Sequence, residues 1–115
     1  MVREIVFFGD NVLDFYNEQT IKVQNKIEYV LDLVRYEDKV PIKFFKKLEN
    51  TNGIYEFRVI TSQRSIRILC FKEDEALIIL TNAFIKKTQK TPKKQIKLAE
   101  KLKIEYLKQI EDEKH

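Results

Sequence analysis

Apolar residues recur along this chain with two different periods, and the switches between them mark out the elements. Glu4 to Phe8 (EIVFF) is β-branched and aromatic, ends at Gly9-Asp10, and predicts a first strand. Asn11 then offers an N-cap for a short helix over Val12 to Asn17. A longer helix is predicted from Thr20 to Tyr36, where Val23, Ile27, Val30, Leu31 and Val34 repeat at three- and four-residue steps. Pro41 forbids its continuation. The stretch Lys39 to Leu48 has no clear period, and its Phe44 and Phe45 are expected under a sheet.

Asn52-Gly53 is a turn signal, and it opens three strand-like runs: Ile54 to Ile60, Ser65 to Phe71 and Ala76 to Ala83. Their connectors, Thr61 to Arg64 and Lys72 to Glu75, are short and polar, which favours hairpins and an antiparallel meander. Thr91-Pro92 has the form of a helix start, threonine as N-cap and proline in the first turn. In the helix that follows, Ile96, Ala99, Leu102, Tyr106 and Ile110 share one side, while Lys94, Lys97, Lys101 and Lys108 share the other. The expectation is a single α+β domain over residues 1–115. A strand and helix pair at the N-terminus would pack on a mainly antiparallel sheet of four to five strands, with a helix at the C-terminus.

Alternation within the strands sorts their charges. Glu56 and Arg58 fall on one face of their strand, opposite Tyr55, Phe57 and Val59. Arg67 falls with Ser65 and Leu69, opposite Ile66, Ile68 and Cys70. One sheet face can therefore collect Glu56, Arg58 and Arg67 while the other meets a core. An arginine in the middle of an apolar strand needs a partner or an open cleft, because an unpaired buried charge is very costly.

The formal charge is only +4, but it is unevenly spread: Lys86 to His115 holds ten lysines against five acids, whereas Asp10 to Asp38 is net acidic. The densest segment, Phe84 to Lys93, carries Lys86, Lys87, Lys90 and Lys93 and no acid, on a connection anchored at both ends by apolar structure. Such a segment presents ammonium groups to a polyanion without leaving them on a floppy tail. The exclusions are firm. The single histidine is the terminal His115, so no histidine-based triad or metal site is expected. Cys70 is the one cysteine, reads as a core side chain, and fits a reducing cytosol. No glycine-rich phosphate loop is present. The apolar run at the N-terminus is too short for a signal peptide or a membrane span. No cofactor and no membrane partner are expected.

The remaining candidates are cations with hydroxyls and aromatics: Arg58, Arg67, Lys86, Lys87, Lys90 and Lys93, with Tyr55, Thr88 and Thr91. Each has a plainer reading as well. Arg58 can bridge to Glu56, the lysines of the last helix can form a solvated face, and Phe84 can be core rather than a base-stacking platform.

Three segments carry a resemblance to a known family. Gly53-Ile54-Tyr55-Glu56-Phe57-Arg58-Val59, then Arg67-Ile68-Leu69-Cys70-Phe71, then Phe84-Ile85-Lys86-Lys87-Thr88-Gln89-Lys90-Thr91-Pro92-Lys93 resemble the phage-derived, HigB-like branch of the RelE/ParE toxin superfamily. The match runs from the N-terminal strand and helices to Ala99, and the KKTQKTP run is its most specific part. Thr81-Asn82-Ala83 departs from the pattern, which often has a histidine and a glycine before the phenylalanine.

The resemblance implies a RelE-like fold and a cytoplasmic toxin of a bacterial toxin–antitoxin pair. Such toxins cleave mRNA at the ribosome and are held inactive by an antitoxin, often a helix-turn-helix protein, in an assembly such as a heterotetramer. On that reading Arg67 and Arg58 meet phosphate and transition-state charge, with Lys87 or Glu56 as candidates for proton transfer. Lys86, Lys90, Lys93, Lys94, Lys97, Lys101 and Tyr55 would bind RNA. Two alternatives stay open: a ParE-like inhibitor of DNA gyrase, and a non-catalytic basic module that binds RNA or the ribosome.

Overall fold

The computed structural model describes residues 1–114; the sequence reading of His115 falls outside them. The chain runs β1 (Glu4–Phe7), α1 (Asn11–Asn17), α2 (Ile21–Tyr36), β2 (Phe45–Lys47), β3 (Ile54–Ile60), β4 (Ser65–Asp74), β5 (Leu77–Ile85) and α3 (Lys93–Glu113). The five strands form one sheet in the order β1-β5-β4-β3-β2. The β2–β3–β4–β5 part is antiparallel, and β1 adds to β5 in parallel. The expected α+β architecture is the observed one. Among the described residues no helix is long and apolar enough to cross a membrane.

Local chemistry explains most boundaries. Gly9 takes φ +75°, a region L side chains avoid, at the turn from β1 into α1. Thr20 caps α2 by accepting from Val23 N–H at 3.3 Å. Several boundaries differ from the sequence expectation: Asp10, not Asn11, is the N-cap residue of α1, and β5 runs from Leu77 on to Ile85. Lys72, Glu73 and Asp74 extend β4 rather than forming a connector, so the turn tightens to Glu75-Ala76. Thr91 does not cap α3: Pro92 is its N-cap residue, and the Thr91 side chain is committed elsewhere.

The sheet has a core on each face. On one, α1 and α2 cover Phe57, Val59, Ile66, Ile68, Cys70, Ile78 and Leu80 with Val12, Ile27, Val30, Leu31 and Val34. On the other, α3 brings Ala99, Ile96 and Tyr106 onto Ile54, Leu69, Phe71, Ile79 and Phe84. Each such buried aliphatic or aromatic side chain contributes about 1.5–3 kcal/mol.

A register shift opposite Leu69/Cys70 makes Thr81 an extra residue in β5. Its Oγ1 donates to Leu69 O at 3.0 Å. The bulge reverses the alternation: Ile79 faces α3 and Leu80 faces α2, yet beyond it Ala83 and Ile85 face the α1/α2 core while Phe84 faces α3. Lys86 therefore leaves the sheet on the α3 side. Its N–H donates to Ser65 O at 2.7 Å, which prolongs the ladder by one residue.

Candidate functional site

The α3 face of the sheet is only partly covered by α3. Towards β2 and the β3–β4 hairpin it bears Glu56, Arg58 and Arg67, and the segment Lys86–Pro92 passes over it as a strap. Register puts Arg58 directly across from Arg67, and Lys46 directly across from Glu56. Two like charges facing each other on neighbouring strands repel, so an acid between them is a structural requirement.

Glu56 fills that role. It is 1% exposed and gives each arginine one oxygen. Oε2 accepts from Arg58 Nε at 3.0 Å, and Oε1 lies 3.5 Å from Arg67 Nε. Oε1 also accepts from Thr91 Oγ1 at 2.8 Å, which pins the strap to the sheet. Arg67 is 6% exposed; its Nη1 donates to Ser65 Oγ at 3.0 Å and to Ile66 O at 3.2 Å. Its Nε is, among the described residues, the one buried side-chain nitrogen or oxygen without a hydrogen-bond partner. Burial lowers the Arg67 pKa, with Glu56 opposing that shift and Arg58 adding to it.

Above this cluster opens a hollow of about 1000 Å³. Lys46, Arg58, Lys86, Lys90, Lys93 and Lys97 line it against three carboxylates, Glu49, Glu56 and Glu100. Glu56 is already spent on the arginines, and Glu100 Oε2 accepts from Asn52 N–H at 2.8 Å. The excess is positive, so the hollow suits an anion. Leu48, Pro92 and Ile96 add apolar wall. The wall at residues 48–53 is tied to α3 by that bond and by Lys103 Nζ donating to Asn52 O at 2.8 Å. The Lys86 ammonium has its pKa lowered, first by desolvation and then by Arg67, with Arg58 and Lys46 adding and Glu56 opposing.

The structure brings together Glu56, Arg58, Arg67, Lys86, Lys90, Lys93 and Lys97 from the residues singled out in the sequence. Arg67 lies behind the hollow rather than on its wall, and acts on it through charge. Lys87, named for proton transfer, is exposed and does not line the hollow; Lys86 is the strap lysine beside the arginines. Lys94 and Lys101 are exposed on α3 and do not line it either. Tyr55 stands on the opposite sheet face, stacked on Phe45 at 5.2 Å with Lys72 over its ring, as the parity of β3 requires. Sequence reasoning missed Lys46, because a three-residue edge strand leaves no periodicity; its signal was position, next to the turn that pairs it with Glu56.

Residues 14–103 match the family model described as "Phage derived protein Gp49-like (DUF891)". The chain belongs to this family, a RelE-like toxin family. Its fold is that of RelE: the structure titled "Crystal structure of archaeal RelE-RelB complex from Pyrococcus horikoshii OT3" superposes with a TM-score of 0.51 at 15% identity. The alignment covers 74% of this chain and 96% of that one. A search of curated protein sequences finds no match.

Proposed function

We propose that this Gp49-like protein is the toxin of a toxin–antitoxin pair and acts as an endoribonuclease on mRNA at the ribosome. The observation that carries the reading is the hollow itself, with Arg58 and Lys86 on its wall, Arg67 behind, and Lys46, Lys90, Lys93 and Lys97 around it. Membership of a RelE-like family supports a toxin, and the RelE–RelB title of the structural relative supports an antitoxin partner.

Such a site suits cleavage in which the RNA supplies its own nucleophile. The 2′-hydroxyl loses its proton and attacks the adjacent phosphorus, and the P–O5′ bond breaks. A 2′,3′-cyclic phosphate and a 5′-hydroxyl result once the leaving oxygen is protonated. The protein must hold the phosphate, offset the charge that builds on it, and move two protons. Arg58 is the guanidinium placed to meet the phosphate, with Arg67 adding charge from behind. Lys86 is easier to deprotonate than an ordinary lysine, which suits it to proton transfer at the hollow wall. Glu56 serves the arginines: its carboxylate is buried and its oxygens are engaged by Arg58 and Thr91. Lys46, Lys90, Lys93 and Lys97 grip flanking phosphates. Cleavage of free RNA is expected to be slow, with the ribosome supplying part of the substrate's orientation.

The test is to induce the chain in cells and map transcript ends. Cuts within reading frames bearing 5′-hydroxyls, lost together with growth arrest in Arg58→Ala and Arg67→Ala, are the expected result. Intact transcripts alongside a DNA-damage response would instead indicate gyrase inhibition. Ribosome binding with uncut transcripts would indicate a non-catalytic binder. Full toxicity of Arg58→Ala would remove the site.

A further inference from the structure

The sequence spends Thr91 on capping the last helix, but the fold spends it on Glu56. Pro92 becomes the N-cap residue of α3 without a side-chain cap bond, and the Thr91 hydroxyl donates 2.8 Å to Glu56 Oε1. A long-range bond thus replaces a local one worth about 1 kcal/mol. Thr91 is half-buried and is the strap residue whose side chain reaches the sheet carboxylate. Thr88 Oγ1, by contrast, turns back to Lys90 O within the strap itself.

The bond has two consequences. First, it fixes the strap over the floor: its β5 end is held by the Lys86–Ser65 ladder bond, and its α3 end by Thr91. The spacing of Lys86 and Lys90 from Arg58 is thereby set. Second, Thr91 donates to the same carboxylate oxygen that Arg67 Nε faces. Arg67 Nε stays 3.5 Å from Oε1 without a hydrogen bond. A buried guanidinium N–H beside a carboxylate normally closes to about 2.7–2.9 Å.

We infer that Thr91 is a positioning residue: by donating to Glu56 Oε1 it docks the basic strap over the floor and holds that oxygen off Arg67 Nε–H, so Lys86 and Lys90 stay placed beside Arg58 for an RNA phosphate. The inference deepens the proposed function by naming what sets the geometry of that site. It touches no reacting atom itself.

The experiment compares Thr91→Val, Thr91→Ala and Thr91→Ser with wild type. The first has the same shape without a hydroxyl, the second covers the case in which valine does not fold, and the third keeps the hydroxyl. The ligand-free readout is the Arg67 Nε–H resonance in NMR. Valine and alanine should move it downfield as Nε–H closes on Oε1, and serine should leave it in place. The ligand readout is binding of an RNA oligonucleotide that cannot be cut, its 2′-hydroxyls capped as 2′-O-methyl groups throughout. Loss of the hydroxyl should weaken it roughly tenfold, equivalent to about 1.4 kcal/mol, and serine should restore it. An unmoved Arg67 resonance, wild-type binding by the valine and alanine variants, or failure of serine to rescue would each overturn the inference. None of these readouts involves cleavage. A wild-type chain that cuts no transcript would sink the nuclease reading while the Thr91 comparison stands.

Discussion

Replacing Glu56 by alanine should cost this protein much of its stability. The carboxylate is 1% exposed and lies between two guanidiniums at 3.0 and 3.5 Å, one of which is itself almost fully buried. At an effective dielectric of about 20, each of those contacts has a gross attraction of roughly 5 kcal/mol. Desolvation of all three groups offsets much of that sum. What matters for the variant is the remainder: Arg67 buried with no counter-charge, facing Arg58 across the β3–β4 ladder. Breaking a buried pair in this way costs about 3–5 kcal/mol. For a domain of this size about 1 kcal/mol corresponds to roughly 4 °C in Tm, so the expected loss is about 12–20 °C.

Thermal and urea unfolding of four proteins would measure it: wild type, Glu56→Ala, Arg67→Met and the double variant. The cause is an orphaned charge, so removing that charge should recover stability. Glu56→Ala/Arg67→Met should therefore melt well above Glu56→Ala. The opposite expectation belongs to a carboxylate kept mainly for catalysis, whose removal commonly stabilises a protein. A Glu56→Ala variant that melts within a few degrees of wild type, or a double variant no more stable than the single one, would refute the clamp.

Three further outcomes are expected. Lys86 should titrate below the ordinary lysine value of 10.5. Because the unfolded chain then holds more protons between that lowered pKa and 10.5, stability should rise with pH across the window; Lys86→Met should flatten the rise, and Arg67→Met should move the pKa back up, both by ¹³C NMR titration with unfolding curves. Tyr106 has its pKa raised to about 12 by burial and by donating to Glu73 Oε2 at 2.6 Å, so its phenolate absorbance should appear late and the stability it contributes, full below pH 10, should fade as pH climbs towards 12; Tyr106→Phe should cost about 0.5–1.5 kcal/mol in urea unfolding below pH 10. Gly53→Ala should cost about 1–2 kcal/mol, since Gly53 has φ +71° and an added Cβ would stand 2.9 Å from Lys103 Nζ; an unchanged urea midpoint would contradict it.

The site was legible where strict periodicity rules. A strand alternates every residue, so parity puts Glu56 with Arg58 on one face of β3 and Arg67 with Leu69 on one face of β4, and the register across the 61–64 connector sets Arg58 opposite Arg67. The same parity sends Tyr55 to the other face. Legibility failed where one residue breaks the period or a side chain reaches far along the chain. The β5 run is apolar on both faces, so nothing in it announces the bulge at Thr81 that turns Lys86 towards the arginines. Thr91 before proline has the form of a cap, and its true acceptor lies 35 residues away on β3. Lys72 to Asp74 read as a turn by composition, yet the ladder with β5 continues through them because pairing outweighs propensity there.

Placing an acid in the middle of a hollow lined mainly by cations looks self-defeating, and the burial of Arg67 explains why it is needed. Two guanidiniums facing each other with one buried would oppose folding; two acids would cancel the field that draws a phosphate. One carboxylate shared by Arg58, Arg67 and Thr91 leaves the floor with a net positive charge and still lets the sheet form. The strap then adds Lys86 and Lys90 at a position set by that same carboxylate. Folding and the placement of the strap therefore depend on one oxygen pair, so a variant that draws Oε1 away from Thr91 should release the strap lysines and, on the proposed function, weaken RNA binding.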